Sequence, residues 1–202
     1  MTWLPAAASL EGFSMAAREH DAYWWQAIGT AVAWMALFHL NAKMFRMLEW
    51  APAVINWVFL PAAVRMLSIL LFGWRGALGL WVGTVATIPE DFLLDHPLQS
   101  IAMACVSSLG ALAAVRAAMT LLHVRPSLQG LTALQLTWVA GLVAAVNTLA
   151  HNVLFWSAGM TETPVAGLVP MFVGDVAGIL LVVYFLRVLL IACERVHRLP
   201  PS

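Results

Sequence analysis

Residues 165–191 read VAGLVPMFVGDVAGILLVVYFLRVLLI. Only Asp175 and Arg187 are charged in this run. A helix needs about 20 apolar residues to cross a hydrocarbon core of about 30 Å. This run is long enough to do so and too apolar to be coated by water. The rest of the chain agrees with it. Of 202 residues, 62% are hydrophobic and 10% charged, whereas a soluble domain carries about 25% charged residues. The mean hydropathy is +0.87. Ten Lys and Arg balance ten Asp and Glu, so no basic field points to nucleic acid. The partner implied by composition is the lipid bilayer.

Working back from that run, the same criterion gives five earlier stretches. They are Trp24 to Leu40, Ala53 to Phe72 with Pro61 inside it, Gly76 to Leu94, Pro97 to Leu122, and Leu131 to Ser157. Pro89, Glu90 and Asp91 break the third, which is therefore short or ends irregularly. The expected architecture is an all-α polytopic membrane protein, a bundle of about six transmembrane helices. Residues 1–23 read as a short interfacial segment, 24–195 as one transmembrane domain and 196–202 as a cytoplasmic tail. Residues 1–23 lack a basic n-region and include Glu11, Arg18, Glu19 and Asp21, unlike a cleavable signal peptide.

Orientation follows the distribution of Lys and Arg. Arg18, Arg75, Arg125, Arg195 and Arg198 fall on one side. Glu90, Asp91, Asp95 and Glu162 fall on the other, in loops without Lys or Arg. Both termini are thus expected in the cytoplasm, across a bacterial inner membrane. Lys43 and Arg46 lie on the wrong side for this rule. Leu40, Met44, Met47 and Leu48 share a helical face opposite them, so this loop reads as a helix lying in the outer interface or as a continuation of the first span. Of ten Trp, Trp24, Trp25, Trp50, Trp57, Trp74 and Trp156 fall near span ends, as an interfacial aromatic belt does.

Small residues mark the faces that meet in the bundle, because close backbone approach holds helices together in lipid. Gly76, Gly79, Gly83 and Thr87 share one such face, as do Ser107, Ala111, Ala114 and Ala118, then Gly141, Ala145 and Thr148, then Gly174 and Gly178. Cys105 and Cys193 are too few and too far apart for a disulfide framework or a CxxC metal site and read as buried thiols.

Ionisable and amide groups at depth cost several kcal/mol unless they are satisfied inside the bundle. Asp175 lies about nine residues into the last span, roughly 14 Å from its outer end at about 1.5 Å per residue. His151 and Asn147 lie in the outer half of the fifth span, Arg65 in the second and His39 near the outer end of the first. At these depths Asp175, Arg65, His151, Asn147 and His39 can meet as a ligand-binding cluster. The bland alternative is an Arg65–Asp175 neutralising pair, with His151 and Asn147 as interhelical glue. Zinc on His39, His151 and Asp175 is chemically conceivable, yet no metal or other cofactor is expected. Neither a His pair at i, i+4 within a span nor a Ser–His–Asp spacing suggests an enzyme.

Residues 56–83 read NWVFLPAAVRMLSILLFGWRGALGLWVG, and residues 174–182 read GDVAGILLV. Together they resemble the opening and final-span motifs of the bacterial membrane-associated sensor family called MASE, type one. The matching positions are Pro61, Ala62, Leu71, Phe72, Gly73, Arg75, Gly79 and Gly83, then Gly174, Asp175 and Gly178. The sequence departs from the family pattern at Leu60, Ala63 and Arg65, and at Ser107 and Ser108. The resemblance implies a sensory membrane module signalling through a separate kinase or cyclase. A homodimer is a further expected assembly. The helix number and size are also similar to the substrate-binding membrane subunits of energy-coupling-factor transporters. A structural membrane subunit is the remaining expectation.

Overall fold

The computed structural model describes residues 7–51, 55–124, 127–128 and 130–197. Residues 1–6 of the expected interfacial segment, residues 198–202 of the expected tail, and Arg125 lie outside the described residues. The first helix, α1, is continuous over Ala7–Met44. It therefore joins the expected lead-in and the first span without a break. It continues past Leu40 as far as Met44, so the first span is prolonged, but no helix runs on to Glu49. A 3-10 turn at Arg46–Leu48 is followed by strand β1, Glu49–Ala51, which pairs antiparallel with β2, Ile55–Asn56.

The second expected span differs most. Helix α2 covers only Pro61–Phe72. Proline has no N–H and a φ already suited to the first helical position, so the helix starts where the apolar run alone shows no boundary. The N–H of Leu60, just ahead of it, donates to Asn41 Oδ1 of α1 at 2.8 Å. Gly73, at φ 58°, then reverses the chain into α3, Trp74–Thr87. That positive φ is one that side-chain-bearing residues rarely adopt. Across this turn Gly76 packs against the Ser68 backbone, so α2 and α3 lie side by side. Gly79 and Gly83 seat α3 on Ala27, Thr30 and Trp34 of α1.

A short helix, α4, occupies Glu90–Asp95. Next come α5, Pro97–Cys105, and α6, Ala111–Leu121, joined by a π-helical turn at Val106–Gly110. Ser108 Oγ donates back to Ala104 O at 2.7 Å and Cys105 O at 3.3 Å. Such back-bonding competes with the main-chain ladder and accompanies its local widening. Helix α7, Ala133–Ser157, begins at a reciprocal cap: Thr132 Oγ1 accepts from Gln135 N, and Gln135 Oε1 accepts from Thr132 N. Helix α8 spans Leu168–His197.

Among the described residues, three helical stretches are long and apolar enough to cross a membrane: Pro97–Leu121, Ala133–Ser157 and Leu168–Arg195. By contrast, α2 and α3 are 12 and 14 residues long, about 18 and 21 Å at about 1.5 Å per residue. The core lies where α1, α2, α3, α6 and α7 converge, around Trp34, Met66, Leu80, Val115, Val139 and Val143. Much of α8 carries its bulk outward, with Leu180, Leu181, Tyr184, Phe185, Leu189 and Leu190 exposed. Cys193 is exposed there too, and Cys105 is half-buried, so neither is the buried thiol expected. The Trp residues assigned to the belt are all exposed, whereas Trp34 is buried in the core.

Candidate ligand site

The buried face of α7 runs through Ala140, Ala144, Asn147, His151 and Phe155. These steps of three or four residues form one stripe on a helix. The small face expected at Gly141 and Ala145 lies beside it, and a Cβ at Gly141 would meet nothing within 4 Å. The stripe turns from apolar to polar at Asn147, and there it meets α2 and α8.

Arg65 of α2 and Asp175 of α8 form an ion pair, with Arg65 Nη1 2.9 Å from Asp175 Oδ2. Their exposures are 2% and 1%. Burying either charge alone costs far more than burying the neutralised pair. Asn147 Nδ2 donates to the same Oδ2 at 2.7 Å. The guanidinium lies 5.4 Å from the Trp34 ring centre and 5.8 Å from that of Phe59, and those two rings meet edge to face. Aromatic faces attract a cation most strongly when water is excluded. Trp34 is steadied in turn by donating from Nε1 to Thr87 Oγ1 at 3.1 Å.

His151 touches two partners. Its Nδ1 lies 3.1 Å from Asn147 O, and its Nε2 lies 3.2 Å from Ser107 Oγ. A carbonyl oxygen only accepts, so the neutral ring carries its proton on Nδ1. Nε2 is then the acceptor, and Ser107 Oγ donates to it. Ser107 sits in the π-helical turn, which swings its side chain toward α7.

The backbone opposite these groups is not helical. The segment from Asn56 to Leu60 crosses α8 at Gly174 and Gly178, and Phe59 N donates to Gly174 O at 3.0 Å. A Cβ at Gly174 would strike Asn56 O, and one at Gly178 would strike Phe59 O. Irregular backbone at membrane depth is tolerated only when buried in protein or lining a cavity. This segment does the second. It walls a cavity of about 320 Å³ whose lining includes Arg65, Asp175, His151 and Ser107 at one end. Trp34, Phe38, Phe59, Phe155, Met103 and Met171 form much of its apolar surface. The lining reaches exposed Pro89 and Asp91 at the other end, between α3 and α4. A larger recess of about 640 Å³ lies between α1, α2 and α8, but among the described residues no ionisable side chain lines it.

Several buried polar atoms of this cluster have no hydrogen-bond partner among the described protein atoms: Asp175 Oδ1, Arg65 Nε, Asn147 Oδ1, Asn56 Oδ1 and Thr84 Oγ1. Each such group costs about 1–3 kcal/mol. A concentration of them around one cavity is what a binding site, rather than a finished core, presents.

The structure thus brings together Asp175, Arg65, Asn147 and His151. It does not bring in His39. That residue is exposed, with its ring 5.9 Å from that of Phe38. Phe38 lines the cavity, and one helical step of about 100° turns His39 away from it. The trio His39, His151 and Asp175 is therefore not a metal site, and among the described residues no group of three or more His, Cys, Asp or Glu is placed to hold one. Depth along the spans did not single out Ser107, Trp34 or Asn56. Ser107 was legible as part of a buried small face, but its hydrogen bond to His151 joins residues 44 apart. No family, curated protein or solved structure matches the chain.

Proposed function

We propose that this chain is a polytopic inner-membrane receptor module that takes a small, largely apolar molecule with a polar end into the α2–α7–α8 cavity. The observation that carries this reading is the buried Arg65–Asp175 pair at the end of an aromatic and methionine-lined cavity, with polar atoms to spare around it. Pockets that bind small molecules share this make-up: mostly apolar walls and a few converging polar groups. In this reading the chain crosses the membrane about six times, with α2 and α3 completing their passes through the irregular segments that flank them. Both termini are cytoplasmic, and the acidic loops around Asp91 and Glu162 face outward. Ligand seated against Asp175 acts on α8, and α8 hands the change to a separate kinase or cyclase. The resemblance to the MASE sensor family supports that output.

A photoactivatable fatty alcohol tests the binding half. In native membranes its crosslinks should map to the segments bearing Trp34, Phe59 and Phe155. Thr84→Phe, which fills the cavity from α3, should cut them about tenfold, as expected when a bulky ring blocks a preformed site. Labelling confined to the outward face of α8 would mean lipid contact alone. Crosslinking of the same membranes tests the output half: recovery of a kinase or cyclase supports it, and self-contacts alone remove it.

A further inference from the structure

We propose that Ser107 and His151 form a nucleophile–base pair able to cleave a carboxylic ester drawn into this cavity. This inference stands on their geometry and does not rest on the receptor reading. A serine is activated when a base accepts its proton and a third group fixes that base in the right tautomer. All these parts are present. Ser107 Oγ lies 3.2 Å from His151 Nε2, and Asn147 O, 3.1 Å from Nδ1, holds the ring proton on the far nitrogen. Both side chains line the cavity. Ser107 belongs to the π-helical turn, a local widening of the helix that recurs at functional sites. Arg65 lines the same cavity, and a cation there favours the negative charge that an ester carbonyl develops.

The apolar walls select the substrate class, an ester with an aliphatic or aromatic acyl group. Ser107 Oγ bonds to the carbonyl carbon as its proton passes to His151 Nε2. The tetrahedral adduct collapses, the bond to the leaving oxygen breaks, and His151 returns the proton to that oxygen to release an alcohol. Water, deprotonated by His151, then attacks the acyl-serine. The carboxylic acid leaves and the Ser107 hydroxyl is restored. No outside oxidant or reductant enters the balance.

The test uses the full chain purified in detergent and an alkyl fluorophosphonate. With this probe Ser107 Oγ bonds to phosphorus and fluoride departs. Peptide mass mapping should place the adduct on Ser107. Ser107→Ala should abolish it, and His151→Gln should slow labelling about 100-fold, the scale of a lost general base. Helicity and monodispersity are read on each variant. The wild-type protein alone decides the matter should His151→Gln fail to fold. A folded wild-type protein with no adduct at Ser107, or with adducts only on other serines, overturns the proposal. So does undiminished labelling in folded His151→Gln. The fatty-alcohol crosslinks are unaffected by either result, so failure here leaves the receptor reading standing, and failure there leaves this one.

Discussion

Asp175→Leu should destabilise the protein by about 3–5 kcal/mol, because removing one partner of a buried ion pair strands the other charge. Arg65 is 2% exposed and is ion-paired with Asp175, so loss of the carboxylate leaves the guanidinium buried without its counter-charge. Asp175→Asn keeps an oxygen facing Arg65 Nη1 and should cost less, about 2 kcal/mol. The informative variant is the double one. Arg65→Met with Asp175→Leu removes both charges and should recover most of the single-variant loss, since apolar replacement of a buried pair is often neutral or better. Unfolding by SDS titration in mixed micelles measures all three. An Asp175→Leu protein as stable as the wild type would show that the pair is not formed in the membrane.

The second large effect belongs to Gly178. A Cβ there would fall on the Phe59 carbonyl, and its neighbouring contacts at Phe59 C and Leu60 N are also backbone. Backbone held by a hydrogen bond one turn away, Phe59 N to Gly174 O, cannot yield as a flexible side-chain tip does. Gly178→Val should therefore cost about 3 kcal/mol or more, at the upper end of overpacking effects. It should also abolish cavity labelling, because Asn56 and Phe59 form its wall. The control is Gly141→Ala, where nothing lies within 4 Å of the added Cβ. It should be neutral or stabilising by up to about 1 kcal/mol through helix propensity. Equal losses at both positions in the same titration would mean that the close approach on α8 is not what sets the Gly178 penalty.

These positions show what a linear reading can and cannot see. The uninterrupted apolar runs became helices with nearly the expected limits: Pro97–Leu121 for an expected Pro97 to Leu122, and Ala133–Ser157 for Leu131 to Ser157. Their signal is local, the length of chain that lipid accepts. Ala53 and Val54 of the second run lie outside the described residues, and Ile55 to Leu60 are not helical because that part is shaped by distant residues: Asn41, which accepts from Leu60 N, and Gly174 and Gly178, which seat the Asn56–Leu60 backbone. No window of hydropathy contains those partners. Depth along the spans was enough to group Arg65, Asn147, His151 and Asp175, because a buried charge and its partner must lie at similar heights. It misled for His39, since height says nothing of which way around the helix a side chain faces. The Ser107–His151 contact needed both coordinates at once.

Helix α8 has a mechanical property that follows from its length. Asp175 sits near one end of a rod that continues unbroken to His197, a further distance of about 33 Å at about 1.5 Å per residue. Ile179, Val182 and Val183 pack on the core beyond the glycine seat at Gly174 and Gly178, and with that seat as a fulcrum the helix past it has the proportions of a long arm. A tilt of about 5° at the fulcrum, within the scale of small helix shifts, carries the far end through about 3 Å. On such a lever, displacements too small to notice at the carboxylate would reach the opposite end as a change in which side chains a neighbour can touch.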